Sequence, residues 1–201
     1  MSKIPHVVIL GGGFGGLSAA NEIRNSLDSS KVNITIIDKK DWFMVGYAKL
    51  WIMNGSRTFE NSIGSLNELP KKQINFIKDE IIEINTKNNF VKTKSENILF
   101  DFLIISMGAV LAPEKIPGLR DNGFNLYDHN QLNQINEKLN KIQSGKIAIV
   151  IMGMPYKCPP APFEASLLVD SMLRKRGIRN SVQIDFFSPA PITLPAAGPE
   201  V

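Results

Sequence analysis

Three glycines, Gly11, Gly13 and Gly16, stand in the run Gly-Gly-Gly-Phe-Gly-Gly, with an apolar segment before it and an amphipathic one after it. Residues 6–10 (His-Val-Val-Ile-Leu) are almost wholly apolar and are stopped by glycine. That pattern predicts a strand buried on both faces. After the glycines, Leu17, Ala20, Ile23 and Leu27 recur at helical spacing. Residues 33–37 (Asn-Ile-Thr-Ile-Ile) are β-branched and predict a second strand, closed by Asp38. A Gly-x-Gly-x-x-Gly turn between strand and helix, with an acidic residue about 20 positions further on, predicts a dinucleotide site. Gly11 permits the tight turn, Gly13 lets a pyrophosphate approach the backbone, and Gly16 lets the helix pack closely on the strand. The helix N-terminus offers free N–H groups and a partial positive charge to the phosphates. Phe14 and Gly15 in the turn, and Lys39 beside Asp38, belong to the same cofactor-binding set. Asp38 would accept hydrogen bonds from ribose hydroxyls and would repel a 2′-phosphate, which disfavours NADP.

The rest of the chain repeats this logic once. Residues 39–69 are apolar and aromatic without a clean period, so loop and short helix against a ligand are expected. Residues 75–77 and 81–85 predict strands, and 90–94 would pair with them across Lys87-Asn88-Asn89. Residues 100–106 predict a buried strand ending at Met107-Gly108. Prolines and glycines make 113–128 a connection, followed by a helical stripe of Leu132, Ile135, Leu139 and Ile142. A strand over 146–152, a helix over about 163–176 stopped by Gly177, and a strand over 182–187 then form a second βαβ unit. The expected class is α/β, a Rossmann-like FAD/NAD(P)-binding fold of two related βαβ units. Its segments are a dinucleotide-binding domain (1–112), a connection and helix (113–144), and a partial second domain (145–201). Two strands and one helix cannot cover both faces of a sheet, so the expected chain is the N-terminal part of a longer protein.

Residues 102–109 (Phe-Leu-Ile-Ile-Ser-Met-Gly-Ala) resemble the strand and small-residue turn that close the first segment of two-dinucleotide flavoproteins. There a Thr-Gly turn is usual, and here Met107-Gly108 takes its place. Together with a glycine motif so near the start, this makes non-covalent FAD the expected cofactor. The resemblance adds Met107 and Gly108 to the cofactor-binding set. It also adds Ile81, whose backbone would meet the adenine.

The second unit has no glycine fingerprint. At the matching place the chain reads Gly153-Met-Pro-Tyr-Lys-Cys-Pro-Pro-Ala-Pro162. Four prolines remove four backbone N–H groups, so this loop cannot cradle a pyrophosphate as a glycine loop does. It carries Cys158, the chain's only cysteine. A buried, inert thiol is the ordinary expectation for a free cysteine. The preceding Lys157 and the following helix N-terminus instead favour thiolate.

Residues 156–164 (Tyr-Lys-Cys-Pro-Pro-Ala-Pro-Phe-Glu) resemble the redox-cysteine loop of the sulfide:quinone oxidoreductase and flavocytochrome c sulfide dehydrogenase flavoprotein family. The resemblance runs from the glycine turn to the helix after the loop. It implies an FAD-dependent oxidoreductase in which Cys158 takes sulfur from sulfide or another reduced sulfur species. Electrons would pass through FAD to a quinone or electron carrier. It also implies Glu164 as a nearby carboxylate able to accept a proton, although a first-turn helix carboxylate is an equally good reading. The family's second cysteine is absent from these 201 residues. Residues 41–47 hold no cysteine that could tether a flavin covalently, and Trp42, Tyr47 and Trp51 are candidates for packing around it. Two alternatives stand beside this reading: an NADH:quinone-type pyridine-nucleotide flavoprotein, and a non-catalytic FAD-binding module.

Other classes fare poorly. The net charge of +4 comes from scattered basic residues, with no aromatic-interleaved basic run of the kind nucleic acid selects. One cysteine cannot form an internal disulfide. The start leads straight into a strand without a signal-peptide core, and no apolar stretch approaches the ~18 residues of a membrane span. The chain therefore reads as soluble and cytoplasmic, with peripheral contact at the inner membrane face left to residues outside it. A homo-oligomer stays open. His6 and His129 are isolated, which favours structural or solvated roles over metal binding.

Overall fold

The computed structural model describes residues 3–191, 194, 197 and 198. The remainder of the segment assigned to 145–201 lies outside the described residues. Two compact units are present: Met1–Met44 with Ile63–Val110, and Val45–Ser62 with Leu111–Val201.

The first unit is built on a four-stranded parallel sheet. Its strands are β1 (His6–Leu10), β2 (Asn33–Asp38), β5 (Asn75–Lys78) and β9 (Phe102–Ile105), in the order β5-β2-β1-β9. Two further strands, β3 (Trp42–Met44) and β4 (Ile63–Ser65), form a small antiparallel pair. Helix α1 (Phe14–Ser26) joins β1 to β2. The central strands are apolar on both faces, as a doubly covered parallel sheet requires. Val8, Ile9, Leu10, Ile34, Ile36 and Ile37 are fully buried. Each such side chain contributes about 1.5–3 kcal/mol relative to exposure.

Helix α1 lays Gly16, Leu17, Ala20 and Ile23 against the sheet, the face its sequence spacing predicts. Its C-terminus is held by Arg24, whose guanidinium donates to Leu27 O (3.0 Å), Val32 O (3.1 Å) and Gln73 O (3.0 Å). The Leu27 carbonyl at the helix end is thereby satisfied by a cation of favourable sign, which also ties the helix to the segments at Val32 and Gln73.

A three-stranded antiparallel sheet of β6 (Ile81–Asn85), β7 (Phe90–Thr93) and β8 (Asn97–Leu99) completes this unit. Asn89 takes a left-handed φ of 52° in the β6–β7 turn, as asparagine tolerates. Sequence reasoning supplies the β6–β7 pair but misses β8, whose three residues are too few to show alternation. His6 fastens strands together: its ring nitrogens lie 2.8 Å from Leu99 O and 2.8 Å from Thr35 Oγ1.

The second unit holds α2 (Ala48–Met53), α3 (Leu119–Asn122), α4 (Leu132–Lys141), β10 (Gly145–Val150), α5 (Ala161–Lys175) and β11 (Val182–Phe187). β10 and β11 pair in parallel, from Gly145 opposite Val182 to Val150 opposite Phe187. Helix α5 covers one face of this pair through Ala165, Val169 and Leu173. Leu50 and Met53 of α2 and Leu139 of α4 join the same core. On the other face Val150 is 42% and Phe187 54% exposed. Asp170 on α5 binds Arg174 (2.6 Å) and Arg179, which hold its carboxyl below the usual carboxylate range, Arg174 first.

Candidate functional site

Ligands of open parallel sheets bind at the carboxyl ends of the strands. Three such ends lie side by side in the first unit: the glycine turn after β1, Asp38 at the end of β2, and Ser106 after β9. Gly11 has φ +100°, a conformation only glycine adopts without strain. A Cβ there would also stand 2.5 Å from Ser106 O. At Gly16 a Cβ would meet Gly11 O at 1.9 Å, so no side chain fits between helix and turn. A Cβ at Gly13 would instead meet open space. Gly13 is the N-cap of α1 and offers no side-chain cap, so the first-turn N–H groups stay available. This is a cradle an anionic group can enter, and the residues present fit a dinucleotide pyrophosphate.

Asp38 is tied to the turn itself. Its Oδ2 accepts the Gly12 N–H at 2.8 Å and its Oδ1 accepts the Lys40 N–H at 2.9 Å. The carboxylate thus braces the turn while keeping lone pairs free for hydroxyl donors. Lys39 is exposed next to it, and Lys40 Nζ lies 4.4 Å from the Trp42 ring centroid. Phe14 is 61% exposed at the head of α1 and packs edge-on against Phe43. Gly15 is exposed in the first turn of α1. In the turn after β9 Met107 is exposed and Gly108 has φ +72°, which glycine adopts freely. Ile81 begins β6 beside a bulge and is half-buried against the sheet core.

Sequence reasoning missed two contributors. Ser106 sits under the glycine turn, its Oγ donating to Leu10 O at 2.9 Å. Leu66 closes the other side, where a Cβ on Gly12 would meet it at 2.5 Å. Both contacts join residues far apart in the chain, and although Ser106 falls in the small-residue turn read from the sequence, its partners are not legible there.

In the second unit, the loop after β10 carries Cys158. Its thiol is exposed, so the ordinary expectation of a buried cysteine does not hold here. Cys158 has φ +55°, in the left-handed region where a side chain is strained. Its carbonyl accepts the Ala161 N–H at 3.1 Å, at the start of α5. Two phenols approach the loop: Tyr127 Oη lies 3.4 Å from Cys158 O, and Tyr156 Oη 3.3 Å from Pro159 O. Tyr127 is anchored in turn by Lys49 Nζ, which donates to its carbonyl at 2.5 Å. Burial first, then Cys158 and Tyr156, pushes the Tyr127 phenol up to about 12. It therefore remains a neutral O–H donor at ordinary pH. Glu164 is exposed in the first turn of α5, where a carboxylate suits the helix N-terminus.

A depression of about 520 Å³ in this unit is lined by Gly145, Lys146, Arg179 and Val182. It opens at the amino ends of β10 and β11, the wrong ends for a ligand of this architecture. Tyr47 packs edge-on against Trp51, and Arg57 lies 4.1 Å from the Trp51 ring centroid. His129 stacks on Phe59 with ring centroids 5.9 Å apart. Among the described residues, no helix is long and apolar enough to cross a membrane.

Comparison with known proteins agrees with this geometry. The family model described as pyridine nucleotide-disulphide oxidoreductase matches residues 5–153. The chain is 30% identical over 198 residues to a mitochondrial sulfide:quinone oxidoreductase of Dictyostelium discoideum, covering 94% of this chain and 43% of that protein. The crystal structure of the sulfide:quinone oxidoreductase from Aquifex aeolicus superposes with a TM-score of 0.83 at 30% identity, over 90% of this chain and 42% of that one. A type II NADH:quinone oxidoreductase of Staphylococcus saprophyticus is 24% identical, over 97% of this chain and 52% of its own length. The chain thus spans about half the length of the relatives it matches, or less.

Proposed function

Because the chain belongs to the pyridine nucleotide-disulphide oxidoreductase family, we propose that it serves an FAD-dependent oxidation of sulfide or another reduced sulfur species. Electrons leave to a quinone or another electron carrier. The observation that carries this reading is the contrast between the two loops. After β1 the chain keeps an open glycine cradle, whereas after β10 it places an exposed cysteine among prolines. The similarity to sulfide:quinone oxidoreductases supports it.

Gly11, Gly13, Phe14, Gly15 and Gly16 would hold the pyrophosphate of FAD. Asp38 and Lys39 would flank the adenosine ribose, the Ile81 backbone would meet the adenine, and Met107 and Gly108 would border the cofactor from the end of β9. Binding is non-covalent. When bound, the flavin supplies a two-electron acceptor. The Cys158 thiol and hydrogen sulfide would each give up an S–H proton and one electron as an S–S bond forms between the two sulfurs, with Glu164 taking up one of the protons. The two electrons and two protons released are matched by those that turn a quinone into a quinol. Prolines that fix φ keep Cys158 at one place during this exchange. Delivery to a membrane quinone calls for peripheral contact with the membrane.

The second reading, an NADH:quinone oxidoreductase, is favoured by the similarity to the Staphylococcus protein. Flavin absorbance after anaerobic addition of sulfide or NADH separates the two. We expect sulfide to bleach the flavin, and Cys158→Ser to slow bleaching by about 100-fold or more, as loss of a covalent nucleophile does. Equal rates in wild type and variant, or bleaching by NADH alone, would overturn the proposal.

A further inference from the structure

The surroundings of Ser106 define a role for it. Its amide donates to Leu10 O at 2.8 Å, continuing the β1–β9 ladder one step past its last pair, Leu10 opposite Ile105. Its hydroxyl then returns to the same strand end, 2.9 Å from Leu10 O and 3.3 Å from Gly11 O. These carbonyls are where the chain leaves β1 and enters the turn. The side chain is also wedged beneath the helix start. A Cβ on Gly15 would stand 3.1 Å from Ser106 Cβ, and one on Gly16 would stand 3.0 Å from Ser106 Oγ. Gly11 and Gly16 are both buried, so the gap that Ser106 fills cannot widen into solvent. A smaller residue leaves the Gly11 carbonyl without that hydroxyl, and a larger one pushes the turn outward.

We propose that Ser106 is a positioning residue for the dinucleotide cradle, its hydroxyl and its small volume together setting where the glycine turn holds the pyrophosphate. The inference rests on reading that turn as the FAD site. It goes beyond it by making a residue 90 positions downstream a determinant of cofactor affinity. The side chain acts through the Leu10 and Gly11 carbonyls, not by touching the cofactor.

The test measures dissociation constants of FAD and of ADP for the apoprotein by titration calorimetry, beside the melting temperature of each apo variant. Ser106→Ala should weaken both ligands about five- to tenfold, the loss of one well-placed hydrogen bond. That bond exists without ligand too, so the apo melting temperature should fall by a few degrees at most, and the affinities are read on fully folded variant, where a merely structural role would leave them unchanged. Ser106→Thr and Ser106→Val add the same volume and differ in the hydroxyl, so Thr should bind both ligands more tightly than Val. Affinities for Ala within about twofold of wild type, or equal affinities for Thr and Val, would overturn the role of Ser106. ADP carries the pyrophosphate without the flavin, so it separates this inference from its premise. Wild type that binds ADP but not FAD sinks the FAD reading, while a weaker ADP affinity in Ser106→Ala still upholds the positioning role.

Discussion

Cys158 occupies a backbone conformation that a cysteine adopts only at a cost. The left-handed region disfavours a Cβ by about 1–2 kcal/mol. Glycine would remove that cost and return part of the gain through a more flexible unfolded chain. Cys158→Gly should therefore be more stable than Cys158→Ala by about 0.5–1 kcal/mol in urea unfolding. Both variants should lose sulfide-dependent bleaching of the flavin. A glycine variant no more stable than the alanine one would mean that the loop relaxes around the residue. At this scale the sequence is legible where chemistry is local. Gly11, Gly13 and Gly16 declare themselves by spacing, and Cys158 by its prolines. Ser106 and Leu66 do not, because their partners lie far away along the chain. The left-handed φ of Cys158 is equally silent, since glycine or asparagine is the usual sign of it.

At the level of elements, the three-stranded sheet is held at one corner by Asp79. Its carboxylate draws on the Thr93 hydroxyl first, then on the Ser95 hydroxyl and the amides of Glu80 and Ser95, and is held down to about 2. The Glu80 and Ser95 amides lie 2.7 and 3.0 Å from its two oxygens. A carboxyl depressed on folding stabilises the native state above its unfolded value near 3.8, and that contribution fades as pH falls through about 2. The stability gap between wild type and Asp79→Asn should be full at pH 5 and shrink steadily between pH 4 and 2. Urea midpoints across that range would check it, and a gap independent of pH would assign the effect to packing. The bonds also show why β8 escapes sequence reasoning. Strands β6 and β7 flank a polar turn that is plain to read. Strand β8 follows a turn whose Ser95 and Glu96 are held by the side chains of Asp79 and Thr93, and its own three residues carry no pattern.

Across the whole molecule, the α/β class and the two βαβ motifs could be read from apolar periodicity and glycine punctuation alone. The membership of residues 45–62 could not. They lack a period, yet Leu50 and Met53 of α2 pack into the core formed by α4, α5 and β11. Six helical residues carry too little pattern to announce a partner so distant in sequence. Parallel sheets are usually covered on both faces, and among the described residues one face of the β10–β11 pair is left open at its carboxyl end. Val150, Met152 and Phe187 lie exposed at the carboxyl end of that pair. Exposed apolar patches of this kind bind hydrophobic dyes and promote association. Replacing Val150 and Phe187 by threonine keeps strand propensity while removing the patch. Dye fluorescence and light scattering should fall by about half, with stability changed by no more than about 0.5 kcal/mol. A large loss of stability would instead show that these side chains are covered in solution.

The strained backbone at Cys158 has a consequence in heredity. A cysteine codon becomes a glycine codon by one base substitution, and here that substitution also relieves the chain. A lineage that no longer used the thiol would meet no folding barrier to losing it and a small reward for doing so. If the proposed role holds, use of the thiol is what would keep a cysteine at this position.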